Sequence, residues 1–223
     1  MKIGFRICVR ERRVDPAVVA LFVGLPVANV SDAMSRMFSG GPLIRPLHAG
    51  GPMAGVAFTV KTRPGDNLMI HKALDLAQRG DVLVIDGGGE LSNALMGEMM
   101  ISHAIQIGLA GIVINGAVRD YGWIKSQAFP VFAAGITHRG PFKDGPGEIN
   151  VPIAFDGMVI TAGDLVIGDD DGFLSIPADQ AVKIHELAAA KMASEITTLN
   201  NTRAGHLPSK AWVDDILKTH SCL

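Results

Sequence analysis

The sequence lacks the features of a secreted, membrane-spanning or nucleic-acid-binding protein. Its 223 residues include only two cysteines, Cys8 and Cys222, near opposite ends of the chain, so neither a disulfide framework nor a zinc motif is expected. No apolar run approaches the ~18 residues of a membrane span, and the arginine-rich start does not resemble a secretory signal. Lys and Arg (20) are balanced by Asp and Glu (22), which leaves no basic field for DNA or RNA. We expect a cytoplasmic protein with neither membrane nor nucleic-acid partners.

Common catalytic motifs are absent as well. The chain has no GxSxG nucleophile elbow, no P-loop and no HExxH pair, and its seven histidines are scattered. Aromatic residues make up only 5% of the chain while 48% is hydrophobic, so the core must consist mainly of aliphatic side chains. These absences argue against a serine hydrolase and a zinc enzyme.

The hydrophobic pattern predicts an α/β protein with one domain over residues 1–223. Apolar runs at 56–62, 82–87, 111–116 and 130–135 read as strands, and helical patterns separate them, which is typical of βαβ units with a parallel or mixed sheet. Asp15-Pro16 and Ser31-Asp32 each predict a helix start. Short β-like pieces follow between residues 150 and 177, with GDDDGF as a hairpin turn, and two helices end the chain.

The stretch GAVRDYGW places Arg119 and Asp120 directly after a predicted strand. Ligands of α/β proteins gather beyond the carboxyl ends of strands. Arginine offers a planar fork for a carboxylate or phosphate, and aspartate offers a hard oxygen ligand for a divalent metal. A surface arginine followed by an aspartate that caps the next helix explains the same two residues equally well.

A second candidate is Gly97, which interrupts the helical pattern ALMGEMM. If a helix begins after this glycine, the amides of Glu98, Met99 and Met100 form a helix N-terminus that can bind an anion. Glu98 would then add an acidic group to the same crevice. The alternative is a glycine that is simply tolerated inside a continuous helix.

Taken together, several motifs resemble one family. PGDNLMIHKALD, GDVLVIDGGGE, GIVINGAVRD, GPGEIN and GDDDGFLSIP occur in the order seen in regulator of ribonuclease E activity A and the class II 4-hydroxy-4-methyl-2-oxoglutarate aldolases, members of which are often mislabelled as demethylmenaquinone methyltransferases. The resemblance is strongest over residues 30–177. It implies a layered α/β/α swivelling-domain fold with a β-rich C-terminal half and terminal helices.

The same resemblance implies roles for individual residues. Asp120 corresponds to the ligand of a divalent metal, Mg²⁺ or Mn²⁺, and Arg119 to the residue that binds the carboxylate and enolate of pyruvate. The backbone from Gly97 to Met100 corresponds to a substrate-binding segment. Glu98 matches an acidic catalytic position where such aldolases often carry Asp, and Glu195 best matches a catalytic glutamate supplied by a neighbouring subunit.

The implied function is that of a metal-dependent class II aldolase. Such an enzyme cleaves 4-hydroxy-4-methyl-2-oxoglutarate, or a related 4-hydroxy-2-oxo acid, to pyruvate through a metal-stabilised enolate, and it decarboxylates oxaloacetate through the same enolate. The family also implies a homotrimer or homohexamer, with the helices from about residue 178 packed on a neighbouring subunit. Two alternatives stay open, namely a non-catalytic protein-binding regulator of the ribonuclease E inhibitor type and a lyase on another 2-oxo acid.

Overall fold

The computed structural model describes residues 2–38 and 40–222. The strands are β1 Phe5–Ile7, β2 Arg45–Pro46, β3 Met53–Thr62, β4 Asp81–Asp86, β5 Ala94–Met96, β6 Gly111–Val118, β7 Val131–Ile136, β8 Gly147–Ile149, β9 Ile153–Phe155, β10 Met158–Ile160, β11 Leu165–Asp169 and β12 Gly172–Ile176. The helices are α1 Pro16–Leu21, α2 Val27–Ala33, α3 Leu68–Leu76, α4 Glu98–Gln106, α5 Tyr121–Ile124, α6 Ala181–Arg203 and α7 Ala211–Thr219. Among these helices none is both long enough and apolar enough to cross a bilayer.

A mixed sheet forms the centre of the fold, with the strand order β1-β8-β3-β4-β6-β7-β2. Strands β3, β4, β6 and β7 are parallel to one another, as the alternation of apolar runs and helices predicted. The ten-residue strand β3 is long enough to pair antiparallel with β11 through its first half and with β8 through its last residues. The four parallel strands therefore bring their carboxyl ends to one edge.

Side chains that alternate along these strands divide the core into two layers. On β4, Val82 and Val84 face a cluster shared with α1, α2, the start of α6 and strands β9 to β12. The intervening Leu83 and Ile85 face the other cluster, which α3 and α4 cover. Because both faces of the sheet are covered, its central strands read as continuous apolar runs. The layered α/β fold with a β-rich second half is confirmed.

Helix α1 begins as predicted, whereas α2 does not. The side chain of Asp15 accepts a hydrogen bond of 2.7 Å from the amide of Ala17, which caps α1. The predicted start at Ser31-Asp32 is wrong, because α2 begins at Val27 and ends at Ala33. Its first amide donates to Asp169 Oδ2 over 2.9 Å, so the capping carboxylate comes from a distant hairpin.

Of two later segments, one has the predicted structure and the other does not. GDDDGF forms the β11–β12 hairpin as predicted, with Asp169 paired to Gly172. The glycine- and proline-containing segment GPGEIN has the composition of a loop, yet it contributes β8, which pairs parallel with β1 and antiparallel with β3. A three-residue strand shows no apolar alternation of its own, which explains the difference.

Candidate functional site

The Arg119-Asp120 pair lies where the carboxyl ends of two strands meet. β6 ends at Val118 and β5 at Met96, and the amide of Arg119 donates to the Met96 carbonyl over 3.0 Å. Asp120 follows with a left-handed backbone, at φ +60°. Aspartate is one of the few residues besides glycine that adopts this conformation readily. The pair therefore leaves the strand at a sharp turn, with both side chains at the edge of the sheet.

The carboxylate of Asp120 does not cap the helix that follows it. Asp120 occupies the N-cap position of α5 but makes no side-chain capping bond there. Its Oδ2 instead accepts a hydrogen bond of 2.9 Å from the amide of Glu98 and lies 3.7 Å from Arg119 Nε. The simple interpretation of Asp120 as a side-chain cap is therefore wrong, and the two predicted motifs are in direct contact.

Gly97 permits this contact. Helix α4 begins at Glu98, which confirms the predicted helix start after Gly97. A Cβ atom at Gly97 would collide with Asp120 Oδ2 and would lie 2.7 Å from Arg119 Cγ. Within the described residues the amides of Met99 and Met100 donate to no protein acceptor, whereas the amide of Glu98 is occupied by Asp120. Two of the three predicted anion-binding amides therefore remain available.

A cavity of about 360 Å³ opens beside this helix start. Two of its lining side chains, Arg119 and Lys143, are cationic, and none of the described residues that line it carries a carboxylate. The polar side chains of Asn67 and His71 and the apolar Leu95, Met96, Met99 and Met100 complete most of the wall. Such a composition favours a ligand with more than one negative charge and a short apolar body.

Sequence reasoning missed three of these lining residues. Asn67 and His71 belong to the PGDNLMIHK segment, which predicts a turn and an ordinary helix, and Lys143 lies in the loop before β8. The ring Nε2 of His71 lies 3.3 Å from Lys143 Nζ. Partial desolvation of the ring lowers the pKa of His71, and the positive charge of Lys143 lowers it further. His71 is therefore a neutral imidazole near neutral pH.

A buried aspartate fixes the loop that carries Lys143. Asp66 is fully buried, and its Oδ2 accepts hydrogen bonds from the amides of Asp144 (2.8 Å) and Gly145 (2.9 Å). Its Oδ1 accepts from the amide of Leu68 over 2.9 Å, which caps α3. One carboxylate thus ties the start of α3 to the loop that carries Lys143. The PGDN segment therefore caps α3 and fixes the loop that carries Lys143, in addition to forming a turn.

The two predicted catalytic glutamates lie in different places. Glu98 is exposed at the start of α4 and is not among the residues that line the cavity. Glu195 lies on α6, where Oε2 accepts from Asn29 over 2.6 Å and Oε1 lies 2.8 Å from Lys191 Nζ. Lys191, followed by Asn29, holds the pKa of Glu195 below its ordinary value. The contacts of Glu195 are made with its own subunit, so its role in a neighbouring site stays a prediction.

Two further polar residues at strand ends do not line the cavity. Asp86 Oδ1 accepts from Asn115 Nδ2 over 3.0 Å and from the amide of Gly88 over 3.1 Å, which organises the glycine-rich turn. Arg63 lies over the ring of Phe142. Both therefore have structural partners that account for them.

Asp120 can accept a metal ion as a single carboxylate ligand. Across residues 2–38 and 40–222, no three His, Cys, Asp or Glu side chains are grouped to hold a metal. The Asp120 side chain is 42% exposed. It lines a second cavity of about 300 Å³ together with Arg119, Ile136, Thr137 and His138. Mg²⁺ retains several waters and is commonly bound through one or two carboxylates, so this donor set fits such an ion.

A mixed sheet covered on both faces brings an arginine, an aspartate and a free helix N-terminus to the carboxyl ends of its strands, beside a cationic cavity. Residues 27–174 match the family described as RraA-like, Aldolase/RraA. The chain belongs to this family, as the sequence motifs indicated.

Named relatives and solved structures agree with this assignment. The chain is 37% identical over 177 residues to a Halalkalibacterium halodurans protein named "Putative 4-hydroxy-4-methyl-2-oxoglutarate aldolase", covering 79% of this chain and 84% of that protein. It is 36% identical over 112 residues to the 4-hydroxy-4-methyl-2-oxoglutarate aldolase of Thermus thermophilus, covering 50% and 68%. The crystal structure of Streptomyces coelicolor RraAS2, a member of the RNase ES inhibitor RraA family, superimposes with a TM-score of 0.76 at 26% identity, covering 83% and 97%.

Proposed function

We propose that this protein is a divalent-metal-dependent aldolase that releases pyruvate from 4-hydroxy-4-methyl-2-oxoglutarate or a related 4-hydroxy-2-oxo dicarboxylate. One observation carries the proposal: the cavity beside Asp120 presents two cations and two free amides, and no described residue of its lining carries a carboxylate. The substrate has two carboxylates and a short carbon chain. The names of the relatives support the same choice.

In this proposal the residues at the start of α4 hold the 2-oxo end of the substrate. Arg119 and the amides of Met99 and Met100 bind the carboxylate next to the keto group, because charged forks and helix N-termini both favour carboxylates. Lys143 binds the distal carboxylate. When the C3–C4 bond breaks, negative charge develops on the pyruvate fragment, and the fixed charge of Arg119 stabilises it.

Asp120 would hold the metal ion, Mg²⁺ or Mn²⁺. A bound divalent ion supplies Lewis-acid polarisation of the 2-oxo group. The proton of the C4 hydroxyl must leave, and C3 of the departing fragment must gain one. We assign the positioning of the water for these transfers to Glu98 and to Glu195 of a neighbouring subunit. Loss of CO2 from oxaloacetate produces the same fragment, so oxaloacetate decarboxylation is expected too.

A second candidate is a protein-binding regulator without catalytic activity. The likeness to Streptomyces coelicolor RraAS2, which belongs to an RNase ES inhibitor family, favours it. A regulator would not require the contact between Asp120 and the start of α4. A lyase that acts on another 2-oxo acid would also require that contact. Its cavity would differ in the residues that face the distal end of the substrate.

Pyruvate release tests the proposal. We expect release from both 4-hydroxy-4-methyl-2-oxoglutarate and oxaloacetate with Mg²⁺, and loss of release in EDTA. Asp120→Asn should lower kcat/KM at least about a hundredfold, because it weakens the proposed metal ligand. Asp179→Asn, a change at an exposed aspartate before α6, is the matched control and should leave release unchanged.

The contrary outcome is equally clear. A folded protein with Mg²⁺ or Mn²⁺ that releases pyruvate from neither substrate is not this aldolase. Release that persists in EDTA and in Asp120→Asn would remove the metal role of Asp120.

A further inference from the structure

Asn67 presents a buried hydrogen-bond acceptor at the cavity. The residue is only 2% exposed, precedes α3 and lines the cavity with Arg119 and Lys143. Its Nδ2 donates to the Leu95 carbonyl over 3.0 Å and contacts Met100 Sδ at 3.4 Å. Its Oδ1 is buried and has no hydrogen-bond partner among the described residues. Buried polar atoms are nearly always paired, so this one requires an explanation.

The orientation of the amide is determined by its surroundings. A carbonyl can only accept a hydrogen bond, so the NH2 group of Asn67 must face Leu95, and Oδ1 must occupy the other position. Asparagine at this point of a helix commonly caps it, yet Asn67 makes no side-chain capping bond. Asp66 performs that role through the amide of Leu68. Oδ1 of Asn67 therefore does not cap α3.

The other polar groups around the cavity are mostly donors. Arg119, Lys143 and the amides of Met99 and Met100 can only donate, and they suit the oxygens of a carboxylate or a keto group. His71 is neutral, but its Nε2 already faces the ammonium of Lys143. A ligand that also carries a donor has Asn67 Oδ1 as its unoccupied partner.

We propose that Asn67 is a specificity-determining residue that accepts a hydrogen bond from a hydroxyl group of the ligand. The inference rests on the proposed function, in which the hydroxyl is the C4 hydroxyl of the 4-hydroxy-2-oxo acid. Oxaloacetate in its keto form has no such group. An amide oxygen does not take up a proton, so Asn67 orients the hydroxyl in the bound substrate and affects KM more than kcat.

Two ligands that differ in one hydroxyl group test this directly. We would measure the dissociation constants of 4-hydroxy-2-oxoglutarate and 2-oxoglutarate by calorimetry in EDTA, where the proposed cleavage is blocked. The wild-type protein should bind the hydroxylated ligand roughly tenfold more tightly. Asn67→Ala should abolish this preference, and Asn67→Ser, which restores a smaller acceptor, should recover part of it.

Turnover supplies the second measurement. In Asn67→Ala the KM for 4-hydroxy-4-methyl-2-oxoglutarate should rise roughly ten- to a hundredfold, while kcat/KM for oxaloacetate changes little. Asn150 offers a matched control, because its Oδ1 is also buried without a partner in the described part of the chain but lies outside the cavity. Asn150→Ser should lower the unfolding midpoint in urea without changing the ligand preference.

The possible results separate the two proposals. No preference in the wild-type protein, no binding of either ligand, or equal losses for both ligands in Asn67→Ala would overturn the role of Asn67. Equal losses would show that the amide serves only the structure, through Leu95. Absence of pyruvate release by the wild-type protein would instead refute the aldolase, whatever the binding preference.

Discussion

Gly97 and Asp120 show how two single residues create the candidate site. Asp120 turns into the left-handed region directly after β6, which directs its carboxylate toward α4 instead of along α5. Gly97 lacks the side chain that would occupy the same volume. The start of α4 and the proposed metal ligand are therefore in contact only because one position carries no Cβ.

Replacing Gly97 should disturb the two side chains that pack against it, Arg119 and Asp120. In Gly97→Ala the new methyl group must displace Asp120 or Arg119, so we expect kcat/KM for pyruvate release to fall about a hundredfold or more. Overpacking of this kind costs about 1–3 kcal/mol of unfolding free energy, which urea denaturation measures. Gly122→Ala is the control, because a Cβ there has no atom within 4 Å. Equal activity in the two variants would contradict the close approach at Gly97.

The site residues differ in how far the sequence revealed them. Arg119, Asp120 and Gly97 were predicted because each is marked by its immediate neighbours, a strand end or a break in a helical pattern. Asn67 and Lys143 carry no such mark, since they reach the cavity only after Asp66 joins α3 to the loop before β8. A chemical role that depends on tertiary contact leaves no pattern in the adjacent sequence.

At the scale of elements, β1 lies outside the residues that match the family. Among the strands of the described residues it pairs with β8 alone, and the ion pair between Arg6 and Glu148 strengthens this pairing. Arg6 donates from Nε to Glu148 Oε1 (2.7 Å) and from Nη2 to Oε2 (2.6 Å). The amide of Gly4 also donates to Oε1, over 2.6 Å. One carboxylate thus attaches the N-terminal strand to the sheet.

The ion pair between Arg6 and Glu148 predicts a pH-dependent contribution to the free energy of unfolding. Arg6 holds the pKa of Glu148 below its ordinary value of 4.5. A lowered carboxylate pKa stabilises the fold above the unfolded value, and this contribution disappears as the pH falls through the folded value. Glu148→Gln should therefore lower the urea midpoint near neutral pH, and the difference from wild type should shrink below pH 4.5.

The control for this experiment is Glu186→Gln on α6, a glutamate with no ion pair among the described contacts. It should leave the midpoint almost unchanged at every pH. A Glu148→Gln difference that persists in acid would show that the effect comes from packing and not from the charge.

Elements with their own apolar pattern were predicted well, and those that depend on partners were not. The parallel strands β3, β4, β6 and β7 appear in the sequence as buried runs. Strands β1, β5 and β8 have three residues each and form only because a neighbouring strand supplies the pairing. Helix α2 likewise begins where Asp169 caps it, more than a hundred residues later in the chain.

At the scale of the whole molecule, the C-terminal helices extend beyond the packed core. α6 packs on α2 near Ala188, and Lys191 joins it to Asp32 over 3.1 Å. Beyond this point the described residues are mostly exposed, and α7 has no buried residue. Leu207, Trp212 and Ile216 expose apolar side chains there. Apolar faces of this kind commonly mark protein interfaces.

We expect this region to pack on a neighbouring subunit of a homotrimer or homohexamer. Trp212 and Ile216 lie one helical turn apart on α7, so they share a face. A charge at either position would have to be buried in the interface, so Ile216→Glu and Trp212→Glu should shift the mass measured by light scattering toward the monomer. Lys218→Glu places the same charge on the polar side of α7 and should leave the assembly intact.

Measurements of pyruvate release test whether this assembly completes the candidate site. If Glu195 serves a neighbouring subunit, Glu195→Gln should lower pyruvate release while the oligomeric mass stays unchanged, and Ile216→Glu should lower both. Mixing Glu195→Gln subunits with Asp120→Asn subunits should then raise pyruvate release above that of either variant alone, because some interfaces combine an intact Asp120 with an intact Glu195 from another chain. Failure of the mixed oligomers to recover activity, with subunit exchange verified by mass, would place both residues in the site of a single chain.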